Sequence, residues 1–200
     1  MPPRNDDRRN ALQGRLLALA EQAAAAEGIS GFSARALASG LGISVGGIYN
    51  LVPSMDDLIL KVASRTLEAL DRELAAAQAD KSDPVDRLVA IAEAYLEFAS
   101  ANRGRWGALF EHRMANGEST PDWAVKEQLR LFRHIVGPLS ELLPGRPADE
   151  IAMQARTFFS AVHGIVFLGL DRRMIAVPIP LLAERLGNFV RAAARGIAQG

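Results

Sequence analysis

The sequence predicts an all-α protein of about nine helices. Alanine and leucine dominate its 200 residues, of which 49% are hydrophobic and only 6% aromatic, and this composition favours helix over sheet. Apolar residues recur at spacings of three and four along most of the chain, which is the period of an amphipathic helix. No run of β-branched residues alternates with polar ones for long enough to predict a strand.

Local signals set the expected ends of the helices. Ser33, Ser44 and Ser54 can each cap the helix that follows, and Asp83 can do so ahead of a proline at the first helical position. Gly28 is expected to end the first helix. The helices are expected at about residues 7–27, 34–40, 44–51, 54–79, 83–98, 105–114, 122–142, 148–172 and 181–198.

Residues 37–51, LASGLGISVGGIYNL, have the pattern of a helix-turn-helix. This motif needs a small residue where its two short helices cross and a turn residue that tolerates positive φ. Ala38 and Gly42 meet these two needs. The positions that should be buried are apolar: Leu37, Leu41, Ile43, Ile48 and Leu51. The positions that should be exposed are mostly small or polar: Ser44, Val45, Gly46, Gly47, Tyr49 and Asn50.

The stretch from Gly31 to Leu58 resembles the DNA-binding domain of the TetR family of transcriptional regulators. The residues that carry the resemblance are Leu37-Ala38, Gly42-Ile43-Ser44, Gly46, Ile48 and Tyr49. The order of the predicted helices also matches that family along the whole chain. The resemblance implies a homodimer that binds double-stranded DNA at a palindromic operator, by default as a repressor.

The resemblance also implies which side chains contact DNA. Tyr49 and Ser33 would hold phosphates, Asn50 would read a base edge, and Arg35 would reach the backbone or an adjacent base. Phosphate contacts would set the register, and base contacts would set the choice of sequence. The expected DNA-binding residues are Ser33, Arg35, Ser44, Val45, Gly46, Tyr49 and Asn50.

Three positions depart from the family pattern. The family usually has His or Tyr and then Phe where this chain has Leu51 and Val52, and it often has Lys where this chain has Met55. The first sixty residues contain five Arg and six acidic residues, so we expect only weak electrostatic attraction to phosphates. An alternative function is therefore a ligand-binding or scaffold dimer with weakened DNA binding.

Two C-terminal helices carry apolar stripes suited to pairing with a second copy. The stripe on the helix over 148–172 has spacings of four and three, which suits helix-on-helix packing. By resemblance, this helix and the last one would pair with their copies in a four-helix interface. The expected dimer residues are Ile151, Ala155, Phe158, Val162, Ile165, Leu182, Leu186 and Phe189. The alternative is that the stripes pack only within one subunit.

Most remaining aromatic residues lie in the second half of the chain. We predict a DNA-binding domain over residues 1–53 and a larger effector-binding and dimerisation domain over 54–200, which begins with a linking helix over 54–79. The resemblance implies a pocket for a small, largely apolar effector in the larger domain. Its expected residues are Trp106, Phe110, Phe132, Phe159 and His163. Ordinary core packing is the alternative for each of them.

The sequence argues against several other functions. It has no cysteine, and its apolar stretches are too short to span a bilayer, so we expect a cytoplasmic protein with no membrane partner. The segment Gly42–Gly46 matches the Gly-x-Ser-x-Gly elbow of hydrolases, but that motif needs a strand where a helix is predicted, so no enzyme is expected. His112, His134 and His163 lack the spacing of metal ligands. No cofactor motif is found.

Overall fold

The computed structural model describes residues 5–117, 119–171 and 176–199. Across these ranges all regular structure is helical, which confirms the predicted all-α class. The α-helices are α1 Asn5–Glu27, α2 Ala34–Leu41, α3 Val45–Leu51, α4 Met55–Gln78, α5 Pro84–Ala101, α6 Arg103–Glu111, α7 Asp122–Leu131, α8 Arg133–Leu142, α9 Ala148–Leu170 and α10 Ile179–Gln199. Two 3-10 turns lie at Gly28–Gly31 and Ala115–Gly117.

The predicted helix caps are present. Each of the four predicted N-cap side chains accepts a hydrogen bond from the backbone N–H three residues later. The distances are 3.4 Å at Ser33, 3.1 Å at Ser44, 3.0 Å at Ser54 and 2.9 Å at Asp83. Each bond satisfies an N–H that has no partner within its own helix. Gly28 follows α1 with a φ of 63°, which glycine adopts at little cost.

The prediction of a single helix over residues 122–142 is wrong. The structure has two helices there, α7 and α8, which meet at Phe132. The Phe132 N–H bonds at 3.1 Å to the carbonyl of Leu129, only three residues back. Within α8, Pro138 has no N–H to donate to the carbonyl of His134 four residues earlier. The apolar period continues through this break and therefore does not reveal it.

The chain divides into two compact units. The N-unit combines Met1–Leu67 with Asn102–Val125, and the C-unit combines Glu68–Ala101 with Lys126–Gly200. Helices α4 and α7 each contribute residues to both units. The functional boundary predicted at residue 53 stays a prediction.

In the N-unit, α1, α2, α3 and the start of α4 share one apolar core. Its buried members are Leu16, Ala20, Ala24, Leu37, Ala38, Leu41, Ile48, Leu51, Val52, Leu58 and Val62. Helix α6 approaches α1 through a glycine. A Cβ on Gly104 would lie 2.3 Å from the carbonyl oxygen of Ala24 and 2.6 Å from that of Ala25. Any larger residue at position 104 would therefore push α6 away from α1.

In the C-unit, α5 packs against α8, α9 and α10. The core that these helices enclose is largely aliphatic, and its burial is the main favourable term in folding this unit. Its members include Leu88, Ile91, Ala92, Leu139, Phe158, Val162, Val166, Leu182, Leu186 and Val190. The two C-terminal helices come close where Gly169 faces Leu182, because a Cβ on Gly169 would lie 2.6 Å from that leucine side chain.

Candidate nucleic-acid interface and effector site

The predicted helix-turn-helix is present in the N-unit. Helix α2 ends at Leu41, and Gly42 follows in the left-handed conformation with φ 69° and ψ 34°. The Gly42 N–H points to the carbonyls of Ala38 and Ser39, which closes the end of α2. Ser44 then caps α3. Helix α2 stands where the hydrolase elbow needs a strand, so the geometry around Ser44 is not that of a nucleophile elbow.

Helix α3 is held to the N-unit at its buried side and at its C-terminal end. Ile48 and Leu51 are buried in the core. The side-chain amide of Gln13, on α1, donates a hydrogen bond of 2.6 Å to the carbonyl of Leu51. This bond satisfies one of the carbonyls that the last turn of a helix leaves open. The opposite face of α3 is thereby fixed towards solvent.

All seven residues expected to contact DNA are exposed on the N-unit. Tyr49 is 51% exposed and Val45 is 42% exposed, although both side chains have substantial apolar area. Around Gly46, a Cβ would meet only the Ser44 hydroxyl, at 3.9 Å. A large molecule can therefore approach the backbone of α3 closely. The contact of these residues with DNA stays a prediction.

The charge on this surface is modest. Helix α3, VGGIYNL, carries no ionisable group except the Tyr49 phenol. On α4, Lys61 pairs with Asp57 at 2.8 Å, and Arg65 pairs with Glu21 at 3.2 Å. Exposed arginines nearby in the sequence are Arg8, Arg9, Arg15 and Arg35. Any recognition by α3 itself would therefore depend on hydrogen bonds and van der Waals contact.

Asp56 joins the start of α4 to the segment after α6. One of its carboxylate oxygens accepts a hydrogen bond from the backbone N–H of Ala115 at 3.2 Å. The other oxygen lies 3.4 Å from Nε2 of His112. We call these contacts the Asp56 clasp. The sequence does not indicate these contacts, since the partners of Asp56 lie more than fifty residues away.

The effector residues predicted from the sequence fall into two sets. Trp106 and Phe110 belong to the N-unit, where their rings pack edge to face with centroids 5.4 Å apart. Phe132, Phe159 and His163 belong to the C-unit, where Phe159 contacts the other two rings at centroid distances of 5.4 Å. The structure thus brings together three of the five predicted residues in the C-unit.

Two further residues complete a ring cluster in the C-unit. Tyr95 on α5 lies edge to face with Phe159, with centroids 5.9 Å apart, and Phe167 on α9 lies 5.9 Å from His163. We call Tyr95, Phe132, Phe159, His163 and Phe167 the aromatic cluster. Tyr95 was not among the predicted effector residues, because its pairing with α9 has no local signal in the sequence.

The aromatic cluster contains a polar pair. The Tyr95 hydroxyl and Nδ1 of His163 share a hydrogen bond of 2.7 Å. Burial lowers the pKa of the His163 imidazole below its ordinary value, because desolvation penalises the cation. His163 is therefore neutral at pH 7, and the pair offers hydrogen-bonding capacity without charge.

A polar network centred on the buried His134, which we call the His134 network, fixes α8 to α4 inside the C-unit. The side-chain amide nitrogen of Gln78 donates to the carbonyl of Leu74 at 3.2 Å and to Nδ1 of His134 at 2.7 Å. In this arrangement Nδ1 of His134 is the acceptor. The other ring nitrogen of His134 donates to Asp71 at 2.8 Å. Burial by itself raises the pKa of Asp71, but hydrogen bonds from His134 and Arg133 outweigh it and lower the pKa.

The three histidines thus have three separate environments. His112 is part of the Asp56 clasp, His134 is part of the His134 network, and His163 is part of the aromatic cluster. Among the described residues, no three His, Cys, Asp or Glu side chains converge in a way that could hold a metal ion. The C-unit also has an open groove of about 290 Å³ that includes no aromatic cluster residue; it is lined by Leu143, Arg146, Glu150, Gln154, Gly196 and Ile197.

Comparison with known proteins assigns the family. A family model described as "Tetracyclin repressor-like, C-terminal domain" matches residues 88–186. An uncharacterized HTH-type transcriptional regulator of Mycobacterium tuberculosis, Rv0681, is 28% identical over 144 residues, or 71% of this chain and 62% of that protein. The chain belongs to the TetR family. It spans less than two thirds of the length of that curated relative.

Solved structures share the fold of this TetR-family chain. The TetR family transcriptional regulator PfmR from Thermus thermophilus has a TM-score of 0.59 and 18% identity, covering 93% of this chain and 98% of its own. RolR in complex with resorcinol has a TM-score of 0.66 and 18% identity, covering 97% of this chain and 96% of its own. At these identities the similarity establishes the fold.

The positions that depart from the TetR family pattern lie in the core of the N-unit. Leu51 and Val52 are 7% and 5% exposed, and Met55 packs against the same core from the start of α4. Their apolar side chains therefore serve packing. Neither Leu51 nor Val52 reaches the exposed face of α3, and the effect of the three departures on DNA binding stays a prediction.

The stripes predicted for the TetR dimer interface lie mostly inside one copy. Six of the eight residues are buried in the C-unit: Ile151, Ala155, Phe158, Val162, Leu182 and Leu186. These six offer little surface to a second copy, which agrees with the alternative that the stripes pack within one subunit. Ile165 is half-buried and Phe189 is 39% exposed. Whether these two lie in an interface stays a prediction.

The exposed side of α9 is mixed, with Arg156, Thr157 and Ser160 between its large apolar residues. Within its most apolar 18-residue window, only 28% is buried by the rest of the chain. By length and composition alone, α9 is the one helix in the described part of the chain that could cross a membrane, a test that core helices of soluble proteins also pass. The exposed large apolar residues of α9 and α10 are Met153, Phe167, Leu168, Ile179, Leu181 and Phe189.

Proposed function

We propose that this chain is a cytoplasmic TetR-type repressor that binds a palindromic operator as a homodimer and is released by a small, largely apolar effector. One observation carries the DNA-binding part. The buried face of α3 is fixed by Ile48, Leu51 and Gln13, and five of the seven residues that the family pattern assigns to DNA are exposed on α3 or at its N-cap. A short helix held in this way is suited to the major groove.

Recognition would combine a few polar contacts with close backbone approach. The Tyr49 hydroxyl and Ser33 would bind phosphates, and Asn50 would read a base edge, since its amide can pair with adenine. Gly46 would let the backbone come near the duplex. Because one short helix reads too few bases for a unique site, two copies would bind half-sites about one DNA turn apart.

The large apolar side chains exposed on α9 and α10 support the dimer. Apolar surface is stabilised when a partner removes it from water. Met153 and Leu168 on α9, with Leu181 and Phe189 on α10, would be covered by the same surface of a second copy around a two-fold axis. The six buried residues of the predicted stripes would then support this face from beneath.

The aromatic cluster is the proposed effector site, and a solved protein of the same fold, RolR, is a complex with resorcinol. Effector binding would favour a state in which the two recognition helices are wrongly spaced for the operator. DNA affinity would then fall only as far as the effector prefers that state.

The test is a footprint on DNA that flanks the protein's own gene, followed by titration of the protected fragment at several salt concentrations. We expect protection of a palindrome and an affinity that falls with salt, because binding releases counterions. Tyr49→Ala should abolish protection, whereas Leu129→Ala, an equally exposed apolar side chain of the C-unit, should not.

The absence of charge on α3 favours one second candidate, a ligand-binding or scaffold dimer with weakened DNA binding. The same titration separates the two functions. Equal, weak affinity for the palindrome and for scrambled DNA, unchanged by Tyr49→Ala, would support the second candidate and refute the repressor proposal.

A further inference from the structure

The aromatic cluster shows which class of ligand it can bind. Phe159, His163 and Phe167 are spaced by four residues on α9 and so lie along one face of that helix. The His163 ring is nearly parallel to both neighbours, with interplanar angles of 27° to Phe159 and 31° to Phe167. Neighbouring rings in this row along α9 are therefore closer to stacked than to edge-on.

Two other rings meet this row edge-on. Phe132 lies at 68° to Phe159, and Tyr95 lies at 71° to the same ring. Offset stacking and edge-to-face contact are the two arrangements that aromatic rings prefer. The cluster thus already uses both kinds of contact, and a planar ring that joins it can make either one with these residues.

The cluster is only partly enclosed. Tyr95 is buried, but Phe132, Phe159 and His163 are half-buried and Phe167 is 36% exposed. Covering an aromatic side chain that is in contact with water by an apolar surface lowers the free energy. This residual exposure points to a flat apolar ligand.

The polar pair selects what that ligand carries. The five side chains of the cluster have no formal charge at pH 7, so an ionised ligand would be desolvated without a counter-charge from them. A hydroxyl both donates and accepts, and it can therefore join the Tyr95–His163 hydrogen bond whichever ring nitrogen of His163 carries the proton.

We infer that the aromatic cluster binds a planar, uncharged aromatic ligand with a hydroxyl group, a phenol, whose ring stacks along α9 and whose hydroxyl bonds to Tyr95 and His163. This inference rests on the proposed function for the existence of an effector site and adds the chemical class of the effector.

The experiment compares four ligands of similar size by calorimetry on the full chain without DNA. The ligands are 4-methylphenol, 4-methylanisole, 4-methylbenzoate and 4-methylcyclohexanol. We expect 4-methylphenol to bind most tightly and 4-methylanisole to bind about 2- to 12-fold more weakly, since it lacks the donor of one neutral hydrogen bond. The benzoate should show no binding, because it is charged, and the cyclohexanol should bind more weakly than the phenol, because it is not planar.

A variant then locates the hydroxyl contact. Tyr95→Phe keeps the ring and removes the hydroxyl, so it should weaken 4-methylphenol binding more than 4-methylanisole binding, because the ether oxygen can accept a hydrogen bond but cannot donate one. The matched control is Ser160→Ala, which removes an exposed hydroxyl from the same helix as His163, where it bonds within its own helix to the Arg156 carbonyl at 2.8 Å. Both ligands should bind this control as they bind the unmodified chain.

Each opposite result overturns the inference. Equal affinity for the phenol and the anisole, tighter binding of the benzoate or the cyclohexanol, or no binding by any of the four would do so. The ligand series on the unmodified chain decides this even if Tyr95→Phe fails to fold. DNA binding is measured separately, so a chain that binds the phenol but no operator would retain the inference and lose the proposed function.

Discussion

Replacing Gly104 with alanine tests how closely α6 is seated on α1. The new Cβ would lie 2.3 Å from the backbone oxygen of Ala24, whereas real Cβ contacts stay beyond about 3.0 Å. Because the atoms it meets are backbone, α6 must move away as a unit. Overpacking of this kind costs about 1–3 kcal/mol, and the better helix propensity of alanine offsets at most about 1 kcal/mol.

Gly107→Ala is the matched control on the same helix. Its Cβ would meet only the carboxylate end of Glu111, at 3.3 Å, and that flexible side chain can move. We therefore expect Gly107→Ala to stabilise the chain by up to about 1 kcal/mol. The two variants should differ in free energy of unfolding by about 2 kcal/mol, with Gly104→Ala the less stable.

The assay is urea unfolding of both variants and the unmodified chain, followed by circular dichroism and by tryptophan fluorescence. Trp106 lies on α6 and is 4% exposed, so its emission reports on the seating of this helix. A midpoint that shifts with an unchanged slope indicates a change in stability alone. If Gly104→Ala unfolds at the same urea concentration as Gly107→Ala, the close approach of α6 to α1 is refuted.

Three further predictions concern single polar contacts. The pKa of Asp71 is lowered in the folded chain. Its carboxylate therefore contributes stability that is present above its unfolded pKa of about 3.9 and is lost as pH falls through the lower folded pKa. In a plot of unfolding free energy against pH, Asp71→Asn should flatten this acidic region. Asp56→Ala should speed hydrogen exchange of the Ala115 amide, which loses its carboxylate acceptor. Gln13→Ala should cost about 1 kcal/mol of stability and weaken operator binding, because the Leu51 carbonyl loses its donor.

Two of these three predictions have a control on the same element, and the first has a contradicting outcome. If Asp71→Asn leaves the fall in unfolding free energy at acidic pH unchanged, the proposed contribution of the His134 network is contradicted. Ala115 should exchange normally in Asp57→Ala, whose carboxylate pairs with Lys61, and equal exchange in the two aspartate variants would refute the clasp. Gln13→Ala should be compared with Gly14→Ala, where a Cβ meets nothing within 4 Å; equal operator affinity would show that the bond to Leu51 does not position α3.

The helix-turn-helix could be predicted because its signals are local. Ser33 and Ser44 cap helices that begin within two residues of them, and the left-handed turn at Gly42 needs only the residue that occupies it. Exposure on α3 followed from the same short pattern, because alternate faces of a helix are set by spacing alone.

Contacts between distant residues could not be predicted in this way. Asp71 lies 63 residues from His134, and Asp56 lies 59 residues from Ala115, so no spacing rule links either pair. The stripe through Phe158 shows a different limit. An apolar period states which side of α9 is covered, but it does not distinguish cover by the same chain from cover by a second copy.

The N-unit is built from two stretches of chain that are separated by residues 68–101. Exchanging only the first fifty or so residues between relatives, to give a hybrid with a new operator, would leave α6 from one parent against α1 from another. The fit at Gly104 would then depend on two independent sequences. A functional hybrid should therefore take residues 102–125 from the same parent as the helix-turn-helix. The parent can be chosen by how well its α6 fits the surface of α1.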